Sequence, residues 1–275
     1  MTELTVAELV ARVAGLAEDR VGRDADGRVI VGIVGAPGSG KSTLAELLVA
    51  ALRESIGSDD AVALVPMDGF HYAQVQLDAL GRSARKGAPD TFDAAGFTAL
   101  LQRIRDGFAP GEGRVVGLAG DGSAGTAGDA HAAPDAADGL APDTADGLGR
   151  DAADGLAPDA VPDVYAPRFE RSIEEPIAGA VRIAAEARVV IVEGNYLLLE
   201  RDGWGDAAAL LDEAWFLRVP QDVRIPRLVA RHMLFGRSQA DAEAWAAEVD
   251  EPNARVIEAS AVRADLVVEL VERLV

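Results

Sequence analysis

The residues best suited to chemistry lie at positions 35–42. Gly35-Ala36-Pro37-Gly38-Ser39-Gly40-Lys41-Ser42 matches the spacing G-x-x-x-x-G-K-[ST] at every position. The glycines let backbone N–H groups converge on phosphate oxygens without Cβ clashes. A helix beginning there adds a favourable dipole. Lys41 can reach the β- and γ-phosphates, and the Ser42 hydroxyl can ligand Mg²⁺. Glycine turns between strand and helix are common, but Lys then Ser at this spacing points to a nucleotide cradle, continued by Thr43.

Asp68 comes next, in the run Met67-Asp68-Gly69-Phe70-His71-Tyr72. At the carboxyl end of a parallel strand it would face a ligand crevice and could take a proton from an attacking hydroxyl. Asp-Gly is equally a turn signal, and spacing alone does not separate base from turn residue. Glu193 follows the β-branched run 188–192 (RVVIV). A carboxylate there is placed to hold Mg²⁺ or its water. Its burial would need a partner in any case, either Lys41 or the metal. Arg224, Arg227 and Arg231 are three and four residues apart, which predicts one helical face, with Arg237 just beyond. Such a stripe suits a lid that closes over ATP, with Arg227 and Arg231 as candidates to stabilise the transferring phosphoryl group. A salt-bridged surface stripe is the competing reading, and His232 reads as structural.

These groups need a scaffold, and the chain alternates strand and helix patterns. Residues 28–34, 61–66, 188–192, 213–219 and 264–269 read as strands, the third of them central and the last closing the sheet. Residues 41–54, 94–106, 221–235 and 239–249 read as helices, and Asp250-Glu251-Pro252 starts another. Asn253 beyond it is a base contact or part of the cap. The expected fold is a P-loop NTPase three-layer α/β/α domain, with a mostly parallel sheet and a small helical lid.

Residues 117–163 break the pattern. An eight-residue repeat (DAADGLAP, DTADGLGR, DAADGLAP) fills 135–158, and the segment holds ten Asp and one Arg. It cannot offset its ordering entropy by burial and reads as a disordered insertion, with His131 inert. The 275 residues, 49% hydrophobic, otherwise suffice for one core. The net charge of −20 argues against a nucleic-acid partner. No apolar run reaches membrane-spanning length. Residues 1–20 read as an amphipathic helix (Leu4, Leu9, Val13, Leu16), not a signal peptide. Zero cysteines fit a cytoplasmic protein. Oligomeric state stays open, a homodimer included.

GAPGSGKS, MDGFHY, RKGAPDTFD (85–93) and EGNYLLL (193–199) occur in this order. Together they resemble the uridine kinase, phosphoribulokinase and bacterial pantothenate kinase branch of P-loop kinases, and within it a subgroup with fructose-transport-associated kinases. The resemblance implies that Asp68 is the base and that Arg85, Lys86 and Asp90 line the acceptor site. A solvated charged turn is the other reading of those three. His71 and Tyr72 are acceptor contacts or a packed aromatic pair, and Asn195 and Tyr196 are similarly open. Relatives of this kind carry Asp where this chain has Glu170, so an acceptor contact there is in doubt. Tyr165, Arg168 and Arg171 are candidates to bind an anionic or polyhydroxylated acceptor. The expectation is an ATP- and Mg²⁺-dependent kinase acting on a hydroxyl of a small metabolite. A regulatory P-loop ATPase and a non-catalytic interaction protein are the rivals.

Overall fold

The structure, a computed structural model, describes residues 2–23, 27–107 and 162–270. The repeat insertion and His131 therefore lie outside the described residues, apart from Pro162 and Asp163.

The strands are β1 (Thr2–Leu4), β2 (Val29–Val34), β3 (Val62–Pro66), β4 (Val164–Glu170), β5 (Glu175–Ile183), β6 (Val189–Gly194), β7 (Glu213–Leu217) and β8 (Leu266–Leu270). The helices are α1 (Val6–Arg23), α2 (Lys41–Ile56), α3 (Gln74–Ala79), α4 (Ala94–Asp106), α5 (Gln221–Leu234), α6 (Gln239–Trp245) and α7 (Glu251–Ser260). Six strands form one parallel sheet in the order β1-β8-β7-β2-β6-β3. β4 and β5 form a separate antiparallel hairpin.

Both sheet faces are covered, and the pleat explains how. Val29, Val31 and Ile33 of β2 pack with Leu9 and Val13 of α1 and Leu44, Leu48 and Leu52 of α2. Ile30 and Val34 point the other way, toward Phe97, Leu101 and Ile104 of α4 and Ile257 of α7. A strand buried on both faces must be apolar throughout, as β2 and β6 nearly are. This is the three-layer α/β/α arrangement of a P-loop NTPase. Among the described residues no helix is long and apolar enough to cross a membrane.

Several boundaries differ from the expectation. Leu4 belongs to a strand, not to the N-terminal helix, which starts after a reciprocal cap in which Glu8 accepts from the Thr5 amide at 2.8 Å and Thr5 Oγ1 accepts from the Glu8 amide at 3.2 Å. β8 therefore does not close the sheet, because β1 pairs outside it. Three residues are too few to show strand alternation. β6 is interior but lies next to the β3 edge, not at the centre. α7 starts at Glu251 with Pro252 in its first turn, as the sequence suggests, but not as a detached helix. α6 runs through a π turn, Ala246–Asp250, directly into α7, with Asp250 itself helical. The wider turn accommodates Pro252, which has no N–H to donate.

Arg28 ties the layers together at the edge of the core. It is 1% exposed. Its guanidinium donates to the carbonyls of Ala187 (2.6 Å), Ile104 (2.7 Å), Ala184 (3.0 Å) and Ala185 (3.0 Å). Burial lowers its pKa to about 10, so it remains charged near neutrality. Arg28→Met keeps the stem and strands these carbonyls. It should lower unfolding stability by about 2–4 kcal/mol, read from urea midpoints at unchanged m-value.

Candidate active site

Register brings the chemistry to one edge. Ile33 and Pro66 both pair with Glu193 across the sheet. The loop leaving β2, the turn leaving β3 and Glu193 on β6 thus emerge side by side at the carboxyl ends of three adjacent strands. The turn after β3, Met67–Phe70, presents Asp68. Gly69 is required there, because a Cβ would come within 2.2 Å of the Pro167 carbonyl oxygen. The β4–β5 hairpin thereby packs directly onto the Asp68 turn.

The loop 35–42 is braced from behind. Gly38 has φ +79°, and a Cβ would meet Leu228 at 2.8 Å and Arg224 at 3.0 Å. Arg224 is buried, donates to the Pro37 carbonyl at 3.1 Å and pairs with Glu251. Ser39 donates its amide to the Ala36 carbonyl at 3.0 Å. Ser39 Oγ, Glu193 Oε2 and Asn195 Oδ1 are buried without a hydrogen-bond partner. Buried polar atoms are seldom left unsatisfied, so these three suit a ligand rich in oxygen and a cation.

Charges converge here. Burial disfavours the Lys41 ammonium and lowers its pKa, while Glu193 and Asp68 pull the other way. Burial lifts the Glu193 carboxyl to about 7, against Lys41 and a hydrogen bond from Ser42. Burial also favours protonation of Asp68, but His71, Lys41, Arg171 and Arg231 outweigh it and hold the carboxyl below its ordinary value. Asp68 keeps 30% of its side chain open, with Arg171 Nη2 at 3.3 Å.

Asp68 opens onto a cavity of about 570 Å³. On the Asp68 side the walls include His71, Lys86, Phe169 and Arg171, and Pro37, Arg237, Trp245 and Asn253 also line the space. Arg231 enters from α5. It is half-buried, feels Asp68, Glu193 and Asp250, and its guanidinium has no hydrogen bond or ion pair among the described residues.

The expected site residues divide. Lys41, Ser42, Asp68, Glu193 and Arg231 come together, and Lys86, Arg171 and His71 line the same cavity. Arg227, one turn before Arg231 on α5, is exposed and lies outside the cavity lining. Arg224 braces the phosphate loop and is not free to act as a lid cation. Arg85 and Asp90 bind each other at 2.6 Å, and neither lines the cavity. Arg168 and Tyr165 are exposed on β4, away from it. Tyr72 bonds the Thr91 carbonyl through its amide and also lies outside the lining. His71 is both a cavity wall and a packed ring, 3.8 Å from Phe92 between centroids, and Nδ1 lies 2.9 Å from the Asp68 carbonyl. Glu170 turns to Ser172, accepting from its hydroxyl at 2.8 Å. Tyr196 donates to the Gly87 carbonyl at 2.5 Å and shapes the acceptor loop from below. His232 Nε2 lies 2.7 Å from Asp250, and the residue also lines the cavity. Phe169 and Trp245 escape a sequence reading, since one lies on a half-exposed hairpin and the other stacks under Arg237 at 4.0 Å.

Arg231→Ala should lower kcat by about 10²–10³-fold, as loss of one preorganised charge does. Arg227→Ala should stay within about twofold, as an exposed change away from the site does. Steady-state kinetics of the pair decides between them.

Comparison with known proteins agrees with the geometry. The chain is 32% identical over 174 residues to an "ATP-dependent kinase-like protein" of Aspergillus versicolor, covering 62% of this chain and 73% of that one. It is 29% identical over 221 residues to a Schizosaccharomyces pombe protein named "Putative uridine kinase", covering 79% and 72%. The crystal structure of a "putative fructose transport system kinase" from Silicibacter sp. TM1040 superposes with TM-score 0.68 at 33% identity, over 96% of this chain and 98% of that one. No family model matches. The site is that of a P-loop phosphotransferase. The chain belongs to the P-loop kinases related to uridine and pantothenate kinases, enzymes that use ATP.

Proposed function

We propose that this chain transfers the γ-phosphoryl group of ATP to a hydroxyl of a small metabolite. The observation that carries this reading is Asp68. It is an ionised carboxylate beside the phosphate loop, part-open to a cavity of metabolite size.

Asp68 accepts the hydroxyl proton as the acceptor oxygen bonds to phosphorus and the bond from phosphorus to the ADP oxygen breaks. Lys41 and Arg231 face the oxygens on which charge accumulates. The loop amides of 35–42, with Thr43 at the helix start, hold the phosphates. Ser42 and Glu193 would hold Mg²⁺, which would supply positive charge against the phosphates. Among the described residues no group of three or more acidic or His side chains forms a metal cage. Two protein ligands with phosphate oxygens and water completing the shell are usual for Mg²⁺.

The test is ADP formation over a panel of nucleosides, pantothenate and sugars. One acceptor class should raise the rate above basal hydrolysis. Steady hydrolysis that no acceptor stimulates would favour a regulatory ATPase instead.

A further inference from the structure

Two cations, Lys86 and Arg171, line the cavity onto which Asp68 opens. Lys86 has only 14% of its side chain exposed. Its ammonium is held by neutral oxygens, the Glu174 carbonyl at 2.8 Å and Gln74 Oε1 at 3.4 Å, and it lies 5.2 Å from the Phe169 ring centroid. The nearest carboxylate, that of Glu174, is 3.6 Å away and 58% exposed, so it screens poorly. Arg171, two residues from Phe169, has Asp68 as its one carboxylate partner among the described residues. Both cations line the same cavity as Asp68 and His71. Glu174 sits at φ +56°, a left-handed conformation uncommon outside glycine. The hairpin tip is held there with its carbonyl on Lys86.

The pairing of Arg171 with Asp68 conflicts with the role of Asp68. A base held by a guanidinium has weakened proton affinity. A competing anion would draw Arg171 away and restore it, just as the nucleotide phosphates would engage Lys41 and Arg231. We propose that the acceptor carries an anionic group, a carboxylate or phosphate monoester, bound between Lys86 and Arg171, and that this binding releases Asp68 to act as base. The proposal rests on the kinase reading and names the charge class of its acceptor.

The first arm measures binding without turnover. With the phosphate loop filled by a non-hydrolysable ATP analogue and Mg²⁺, inorganic phosphate and acetate are titrated separately by calorimetry. At least one should bind, and the tighter of the two identifies the anion. Lys86→Met and Arg171→Met should each weaken binding by about tenfold or more, the worth of one charge-assisted hydrogen bond, and Lys86→Arg should recover part of it. Binding of neither anion, or equal binding by the Lys86→Met/Arg171→Met double variant, overturns the proposal.

The second arm compares matched acceptors in the ADP assay, pantothenate against panthenol and fructose 1-phosphate against fructose. The charged member should have the higher kcat/KM, with the loss in the two variants confined to it. A preference for the neutral member overturns this proposal and leaves the kinase reading intact. Absence of any stimulation counts against the kinase reading, and the binding arm still decides the anion site.

Discussion

Asp68→Asn lowers acceptor phosphorylation by about 10²–10⁴-fold, the usual worth of a positioned general base. The change keeps the size of the side chain and removes its charge, its pairing with Arg171 and its ability to take a proton. The phosphate loop, braced by Arg224 at Pro37, does not depend on it. Nucleotide affinity, read by thermal shift with ATP, should therefore stay within a few-fold. The loss should fall on kcat, not on KM for ATP. Because Lys41, Arg171 and Arg231 hold the carboxyl low, Asp68 is ionised throughout the neutral range. The limb due to Asp68 should consequently lie below the ordinary carboxylate range and vanish in the variant, whereas any limb that Glu193 contributes near pH 7 should persist. A structural turn residue would show neither the kcat-specific loss nor the change in pH profile.

Glu193→Gln has two effects of opposite sign. Glu193 is 5% exposed, and its folded-state pKa rises from 4.5 to about 7. Between these values the folded protein binds a proton that the unfolded chain has lost. Stability therefore falls as pH rises through this window, and the penalty is fully present above about pH 7. Gln mimics the protonated form and removes the penalty. The variant should gain about 1–3 kcal/mol at pH 8 and little near pH 4.5. Denaturant midpoints at the two pH values test this. Phosphoryl transfer should meanwhile drop by about 10²-fold or more, since Gln cannot hold the metal as a carboxylate does. Gaining stability while losing turnover is what a residue kept for function should do. A carboxylate serving only the fold would lose both.

The parts legible in the sequence were those whose requirements are local. The phosphate loop needs fixed residue types at fixed spacing. The buried strands had to be apolar throughout because both faces are covered. The arginine stripe was harder. Spacings of three and four suggest a shared face, but the contact of Arg224 with Pro37 sets which direction is inward. Seven residues on, Arg231 returns to within about 20° of Arg224, whereas Arg227 points about 60° away, toward solvent. In the 85–93 loop, Arg85 and Asp90 pair with each other, and of the charged residues there Lys86 reaches the cavity. Sequence cannot say which neighbour in a charged run turns inward. The β4–β5 hairpin was missed because its tip, Arg171-Ser172-Ile173-Glu174, lacks the Asn-Gly or Asp-Gly signal and instead places Glu174 in the left-handed region. The outer faces of its strands are exposed, so no core pattern marked them either.

The central claim, transfer to an acceptor and not to water, is tested most directly by following ³¹P NMR of ATP with the best acceptor of the panel. This account predicts ADP and a new phosphomonoester appearing in equal amounts, little inorganic phosphate, and loss of both products in Asp68→Asn. Accumulation of inorganic phosphate in place of a phosphomonoester, or acceptor turnover indifferent to Asp68→Asn, would contradict it.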